Sequence, residues 1–402
     1  MRTAVILAPD DRGMLRAFGI PSVLRLAVVA SKVGIERVFV IGKVNSLIPI
    51  LSHLVPLPNF YAVESVDMLG QVIQGLDIDD RKGILVMRAD YVVDRRSLTH
   101  FLEKAEEPGI SFMEAAGAGS GDGLYLTSPS DLVPILQILW AVGESNPDIM
   151  SRARRISSPN GLPYIPKSGI EGGREAEDRL IAALAANTNP DDGLMARHFS
   201  RRISRLISRR VACTDLSPNQ ITLIGMSIGL FGAFCLSRAG YGIQLFGSLL
   251  FVLCIIIDGV DGEVARLKLR ESLFGHYLDV TTDNIVHAAV FIGIAFGLYH
   301  NTGDPGYIRA LWFMLGGLLL CIISVYQCIL RLSPDEMEQS PRMIRIMALM
   351  SNRDFAYLVV ALALIGRLNW FLLGAVIGSY IFAIGLWTIS FHEKRGRLRD
   401  MQ

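Results

Sequence analysis

The chain has 402 residues, 39 Lys and Arg against 38 Asp and Glu, a formal net charge of +1, and 51% hydrophobic residues. A near-neutral charge excludes a global electrostatic pull toward nucleic acid, and a mean hydropathy of +0.40 is too high for an ordinary soluble protein. Cys213, Cys235, Cys254, Cys321 and Cys328 form no CxxC pair, which argues against a disulfide framework and for small apolar packing residues.

The hydrophobic excess sits after about residue 215. Before that point the chain reads as soluble α/β. Residues 3–8 (TAVILA) form an apolar run that meets Asp10 and Asp11. It is too short for a signal peptide and reads as a buried strand, so this half is expected to stay in the cytoplasm. Residues 22–34 have helical periodicity, and residues 37–41 (RVFVI) and 83–87 (GILVM) read as strands. A helix is expected near 96–105, a strand at 123–127 (GLYLT) and a helix over about 129–141. Strands alternating with helices predict a mostly parallel sheet covered by helices. Residues 156–175, rich in Ser, Pro and Gly, read as a loop, and 177–195 as a helix and a turn.

Residues 196–211 (ARHFSRRISRLISRRV) place Phe199, Ile203, Leu206 and Ile207 on one helical face, with Arg201, Arg202, Arg205, Arg209 and Arg210 largely elsewhere. An arginine-rich amphipathic helix beside a membrane span is expected to lie in the headgroup plane. Six spans then follow, at about 218–238, 242–266, 276–299, 307–330, 354–366 and 369–391, the fifth being short. Arg266, Lys268 and Arg270 cluster at one turn, Arg331, Arg342, Arg345 and Arg353 at another on the same side, and Lys394, Arg395, Arg397 and Arg399 in the tail. The opposite turns hold only Arg238, Arg309 and Arg367. By the positive-inside rule both termini are cytoplasmic.

The second span ends and the third begins with Asp258, Asp261, Asp279 and Asp283. Spacings of three and four residues put each pair on one helix face, and a short connecting turn makes the two helices antiparallel neighbours. Carboxylates at membrane depth cost on the order of a few kcal/mol each. Hard divalent cations, Mg²⁺ or Mn²⁺, are the simplest compensation, and four carboxylates can hold two ions in the arrangement that suits phosphoryl transfer.

The full run is Asp258-x2-Asp261-Gly262-x2-Ala265-Arg266-x8-Gly275-x3-Asp279-x3-Asp283. It resembles the signature of the CDP-alcohol phosphotransferases (CDP-alcohol phosphatidyltransferases) at all eight positions. The resemblance covers roughly residues 196–391. Upstream, Pro218-Asn219-x-x-Thr222 is similar to the entry of the same family's first span. The resemblance implies that Asp258, Asp261, Asp279 and Asp283 hold two divalent ions and that Asp283 is also the general base. It implies that Gly262, Ala265 and Gly275 leave room for the cytidine, that Arg266 neutralises phosphate or holds the loop, and that Asn219 and Thr222 lie near the nucleotide. Arg331 and Arg353 are candidates for the acceptor. The reaction would move a phosphoryl-alcohol group from a CDP-alcohol, either CDP-diacylglycerol or a CDP-polyol, to a polar alcohol acceptor, with CMP leaving. Family resemblance also carries a homodimer surrounded by membrane lipids, in the inner (cytoplasmic) membrane.

The N-terminal half resembles the sugar-nucleotidyltransferase fold. Ala4–Ala8, the Gly34–Ile41 strand with its lead-in, and Met87-Arg88-Ala89-Asp90 carry the likeness. Its fusion to a membrane module is similar to the bifunctional inositol-1-phosphate cytidylyltransferase/di-myo-inositol-phosphate-phosphate synthases. The loop after the first strand departs from that fold: Pro9-Asp10-Asp11-Arg12-Gly13-Met14-Leu15 keeps one glycine and sets two acids where phosphates would approach, and Pro21 is followed by Ser22 rather than lysine. The expected architecture is an α/β nucleotidyltransferase-like cytosolic domain of lost or altered activity (1–195), an amphipathic juxtamembrane helix and linker (196–215), and an all-α six-helix transmembrane domain (216–402). The competing readings are an active cytidylyltransferase that feeds a CDP-inositol-dependent synthase, and a membrane transporter or scaffold that uses the acidic site for ions.

Overall fold

The computed structural model describes residues 3–8, 14–42, 60–63, 83–105, 109–116, 122–140, 147–167, 169–186, 195, 199–327 and 354–400. The chain divides into two compact units, Met1–Asn187 with Leu267–Leu269, and Thr188–Arg266 with Arg270–Gln402.

The first unit runs β1 (Thr3–Ala8), β2 (Arg16–Ala17), β3 (Ile20–Pro21), α1 (Ser22–Lys32), β4 (Arg37–Gly42), β5 (Phe60–Val63), β6 (Ile84–Arg88), α2 (Arg95–Lys104), β7 (Ser111–Glu114), β8 (Gly123–Thr127), α3 (Leu132–Trp140), α4 (Pro147–Arg152), β9 (Arg154–Arg155) and α5 (Gly169–Ala186). Seven strands form one sheet in the order β5-β4-β1-β6-β8-β7-β9. β5, β4, β1 and β6 are parallel, while β8 runs antiparallel to both β6 and β7. Strand alternation explains why β1 is apolar at nearly every position. Ala4 and Ile6 pack on one face with Leu24, Ala27 and Val28 of α1 and Phe101 of α2. Val5 and Leu7 pack on the other with Leu132, Ile135 and Leu139 of α3.

The helix expected after residue 177 begins earlier, at Gly169. Its glycines read as loop formers, yet a Cβ on Gly172 would sit 1.7 Å from the carbonyl oxygen of Lys167, so the first turn accepts only glycine there. The acid-containing loop Pro9–Gly13 lies outside the described residues.

The second unit contains α6 (Arg201–Val211), α7 (Pro218–Leu236), α8 (Tyr241–Leu267), α9 (Leu273–Thr302), α10 (Gly306–Val325), α11 (Phe355–Leu364) and α12 (Leu368–Asp400). α7 opens with a capping box: Gln220 N donates to Ser217 Oγ and Ser217 N donates to Gln220 Oε1 at 2.9 Å, with Pro218 in the first turn. Ser272 caps α9 by accepting from Gly275 N at 3.0 Å. α7 and α9 approach closely because small residues line their seam. A Cβ on Gly297 would lie 2.0 Å from the carbonyl oxygen of Leu236. The common core joins Leu236, Phe251, Val286, Val290, Ile294, Met314, Val359 and Leu372.

Among the described residues, five helices are long and apolar enough to cross a membrane: α7, α8, α9, α10 and the Leu368–Phe391 part of α12. Six spans were expected. The fifth expected span appears as α11, whose ten residues rise only about 15 Å, half of a bilayer core. The five helices make this a multi-pass membrane protein. Trp312, Ile377 and Ile381 are among the large apolar side chains that face outward, as lipid contact requires.

α6 turns its two serines inward. Ser204 and Ser208 are buried, while Leu206 and Phe199, from the apolar face read in the sequence, are 64% and 51% exposed. An outward apolar face suits a helix lying in a membrane surface.

Candidate active site

Asp258 and Asp261 lie near the end of α8, and Asp279 and Asp283 near the start of α9. One carboxylate oxygen each from Asp258, Asp261 and Asp279 comes together, all within 4.8 Å of one another. Asp283 is half-buried one turn beyond Asp279 and stands outside that group. Its charge and those of Asp261 and Asp279 still act on one another.

The chain supplies part of the compensation. Thr222 Oγ1 of α7 lies 2.5 Å from Asp261 Oδ2. Asp279 Oδ1 is buried without a hydrogen-bond partner. A buried carboxylate oxygen left unpaired is expensive. Three converging carboxylates with one orphaned oxygen form an all-oxygen donor set that fits a hard divalent cation.

Beside the carboxylates is a cavity of about 170 Å³, lined by Asp261 and Asp279 and by Pro218, Asn219, Thr222, Gly262, Ala265, Arg266, Arg270, Glu271, Ser272, Gly275 and His276. All six residues expected near the nucleotide, Asn219, Thr222, Gly262, Ala265, Arg266 and Gly275, are in this wall. The sequence left open whether Asn219 or Thr222 merely caps α7. Ser217 is the cap, and both other side chains line the cavity. Gly275 matters for space: a Cβ there would meet Ser272 Oγ at 3.1 Å and Asn219 Oδ1 at 3.2 Å. Arg270, Glu271, Ser272 and His276 were not singled out from the sequence. Their signal was position alone, since the turn between two helices that both carry site residues borders the site. Arg331 and Arg353, the acceptor candidates, lie outside the described residues, as do Arg342 and Arg345.

A family model described as CDP-alcohol phosphatidyltransferase matches residues 215–392, a stretch that contains every aspartate and cavity residue named above. Residues 215–392 thus form a domain that matches this family model. The chain is 30% identical over 175 residues to a bifunctional IPC transferase and DIPP synthase of Thermococcus kodakarensis, covering 43% of this chain and 38% of that protein. It is 33% identical over 132 residues to a phosphatidylinositol phosphate synthase of Mycolicibacterium smegmatis, covering 33% of this chain and 55% of that one. Both matches thus span less than two thirds of the relative's length. Among solved structures, the inositol-1-phosphate CTP transferase of T. maritima aligns with a TM-score of 0.34 at 10% identity, over 46% of this chain and 96% of that one.

In the first unit, the strand-end aspartate Asp90 has a different setting. It is 4% exposed, and Arg88 grips it through Nη2 and through Nε at 3.1 Å. Arg88 Nη1 donates to Asp122 at 3.1 Å. Burial works against the guanidinium's charge, but the hydrogen bond and charge of Asp90, aided by Asp122, hold its pKa above the ordinary value. The two acids are therefore already served by a cation of the chain.

Proposed function

We infer that this chain transfers a phosphoryl-alcohol group from a CDP-alcohol to an acceptor hydroxyl, releasing CMP, within a membrane. The observation that carries this reading is the meeting of Asp258, Asp261 and Asp279 at the edge of a cavity walled by Asn219, Gly262, Arg266 and Gly275. Asp258, Asp261, Asp279 and Asp283 would hold two divalent ions, Mg²⁺ or Mn²⁺. When bound, such ions polarise phosphoryl oxygens and offset the charge of a departing phosphate. The acceptor oxygen forms a bond to the phosphorus that carries the alcohol, and the bond from that phosphorus to the bridging oxygen breaks. CMP leaves with that oxygen. Asp283 takes the acceptor's proton, for which hydrogen-bond reach of the hydroxyl is required. Arg266 and Arg270, both in the cavity wall, place positive charge where a diphosphate would lie. Small residues on the α8 and α9 faces leave room for the cytidine, so most of the catalytic effect is positioning and electrostatics.

The donor favoured is CDP-diacylglycerol. The domain that could make a soluble CDP-polyol has its strand-end aspartate neutralised by Arg88, which argues against an active metal-dependent cytidylyltransferase. The positive-inside pattern puts both termini in the cytoplasm, with the protein in the inner membrane, and family resemblance makes a second copy of the chain the expected partner.

The test is CMP release by the detergent-purified protein with Mg²⁺ or Mn²⁺. CDP-diacylglycerol and CDP-inositol are offered separately, each with polyols and polyol phosphates, and Asp283→Asn is the control. Release that needs metal, acceptor and Asp283 is the expected result. Turnover with CDP-inositol alone would replace the lipid donor by the soluble one. No release from folded protein with any pair would sink the enzyme reading in favour of a transporter or scaffold.

A further inference from the structure

Glu263 follows Asp261 by two residues on α8 and has no part in the chemistry above. It is 3% exposed. Ser204 Oγ donates to Glu263 Oε1 at 2.8 Å, and Ser208 Oγ donates to Oε2 at 2.7 Å. Arg201 Nη1 stands 3.8 Å from Oε1. The three partners share one face of α6, because positions 201, 204 and 208 follow helical spacing. A buried carboxylate needs such partners, and here each oxygen has its own hydroxyl. Gly259, one turn earlier on α8, faces the same helix: a Cβ there would lie 3.5 Å from Ser204 Cβ, an ordinary contact distance.

At 3.6 residues per turn, Gly259 and Glu263 lie roughly a third of a turn around α8 from the stripe of Asp258, Asp261, Gly262 and Ala265. Thr222 of α7 holds Asp261 from yet another direction. One turn of α8 is thus tied by α7 through Asp261 and by α6 through Glu263, and it shows its remaining side to the cavity.

We propose that Glu263 is a positioning residue: its clamp on Ser204 and Ser208 sets the rotation and depth of the α8 turn that carries Asp258 and Asp261. The inference rests on the phosphotransferase reading for its kinetic consequence, but not for its effect on ion binding. It gives α6 a second duty. Its outward face meets the membrane, and its inward serines fix the acidic turn.

The experiment uses the full chain in detergent and three variants: Ser204→Ala with Ser208→Ala, Ser204→Thr with Ser208→Thr, and Glu263→Gln. Three quantities are read: Mn²⁺ affinity from the electron paramagnetic resonance of Mn²⁺ alone with the protein, kcat and donor KM for CMP release, and the thermal midpoint. Loss of a supporting shell around metal ligands weakens binding by about 10- to 100-fold, so the alanine pair is expected to lose about tenfold in Mn²⁺ affinity. Misplacement of about 1 Å can cost 100-fold in rate, so its kcat is expected to fall roughly 10- to 100-fold with donor KM little changed. The threonine pair, which keeps both hydroxyls, should recover both quantities. Glu263→Gln, which keeps the shape and can still accept one hydroxyl, should weaken Mn²⁺ by a smaller factor, and it serves as the probe if the alanine pair does not fold.

Wild-type Mn²⁺ affinity in the alanine pair, or in Glu263→Gln where that is the probe, overturns the proposal. So does a lowered midpoint with unchanged affinity and kcat per folded molecule, or failure of the threonine pair to rescue. If the wild type releases no CMP while its Mn²⁺ affinity still depends on the serines, the phosphotransferase reading fails and the clamp stands.

Discussion

Two clusters of aspartates among the described residues are balanced in opposite ways. In the first unit Asp90 and Asp122 share Arg88, whose side chain is 2% exposed, so the chain brings its own cation. In the second unit Asp258, Asp261 and Asp279 converge on one another, and one oxygen of Asp279 has no hydrogen-bond donor. The first arrangement is complete as it folds. The second is open to a cation from solution. The same residue type therefore makes a closed structural knot in one place and a candidate reaction centre in the other.

The largest effect that would sharpen this contrast is on the open cluster. Asp279→Asn is expected to lower CMP release by roughly 10³-fold, the upper end for losing one electrostatic group, and to abolish Mn²⁺ binding. Turnover within tenfold of wild type would break the comparison. On the closed cluster, Arg88→Ala leaves two buried acids uncompensated and should cost about 3–5 kcal/mol of stability in the first unit. Hydrogen exchange over β6 and β8 would read this, and unchanged protection there would mean the ion pairs matter little. Adding Mn²⁺ at about 100 times its dissociation constant should stabilise the second unit by about 2.7 kcal/mol and leave exchange in the first unchanged. Protection gained around Asp90 would show that the first unit binds metal after all. A Leu at Gly275 fills the cavity wall and should reduce kcat/KM for the donor about 10- to 100-fold, the scale of a few misplaced methylenes. The smallest effect is at the mouth of α7, where Ser217→Ala removes half of the capping box and should cost about 1 kcal/mol, measured as a shift in the denaturation midpoint of the second unit.

The open cluster was legible in the sequence because its geometry is local. Spacings of three and four residues on two helices joined by a short turn leave few ways to arrange the four aspartates, and Gly262, Ala265 and Gly275 fall in the same repeat. The closed cluster was not legible. Asp90 lay in the Met87–Asp90 stretch that carries the nucleotidyltransferase likeness, and Asp122, which shares Arg88 with it, stands just before β8, 34 residues from Arg88. The Glu263 clamp was hidden for the same reason, since its serines are 55 and 59 residues away. In the first unit β1, β4, β6 and β8 announced themselves by apolar runs. Strands as short as Ser111–Glu114 exist only through their pairing with a neighbour, which no local pattern records.

The brevity of α11 has a consequence for the surrounding lipid. Its ten residues carry Leu358 and Leu364, which are 51% and 55% exposed, and the backbone turns directly into α12 through bonds from Gly366 N to the Ala363 carbonyl and from Arg367 N to that of Leu362. Beside full-length neighbours, that stretch of the protein's perimeter is about 15 Å tall. Acyl chains that meet it must shorten, splay or tilt, at a cost of fractions of a kcal/mol for each ångström of mismatch. Along α11 itself, bilayers built from shorter chains therefore fit with less deformation.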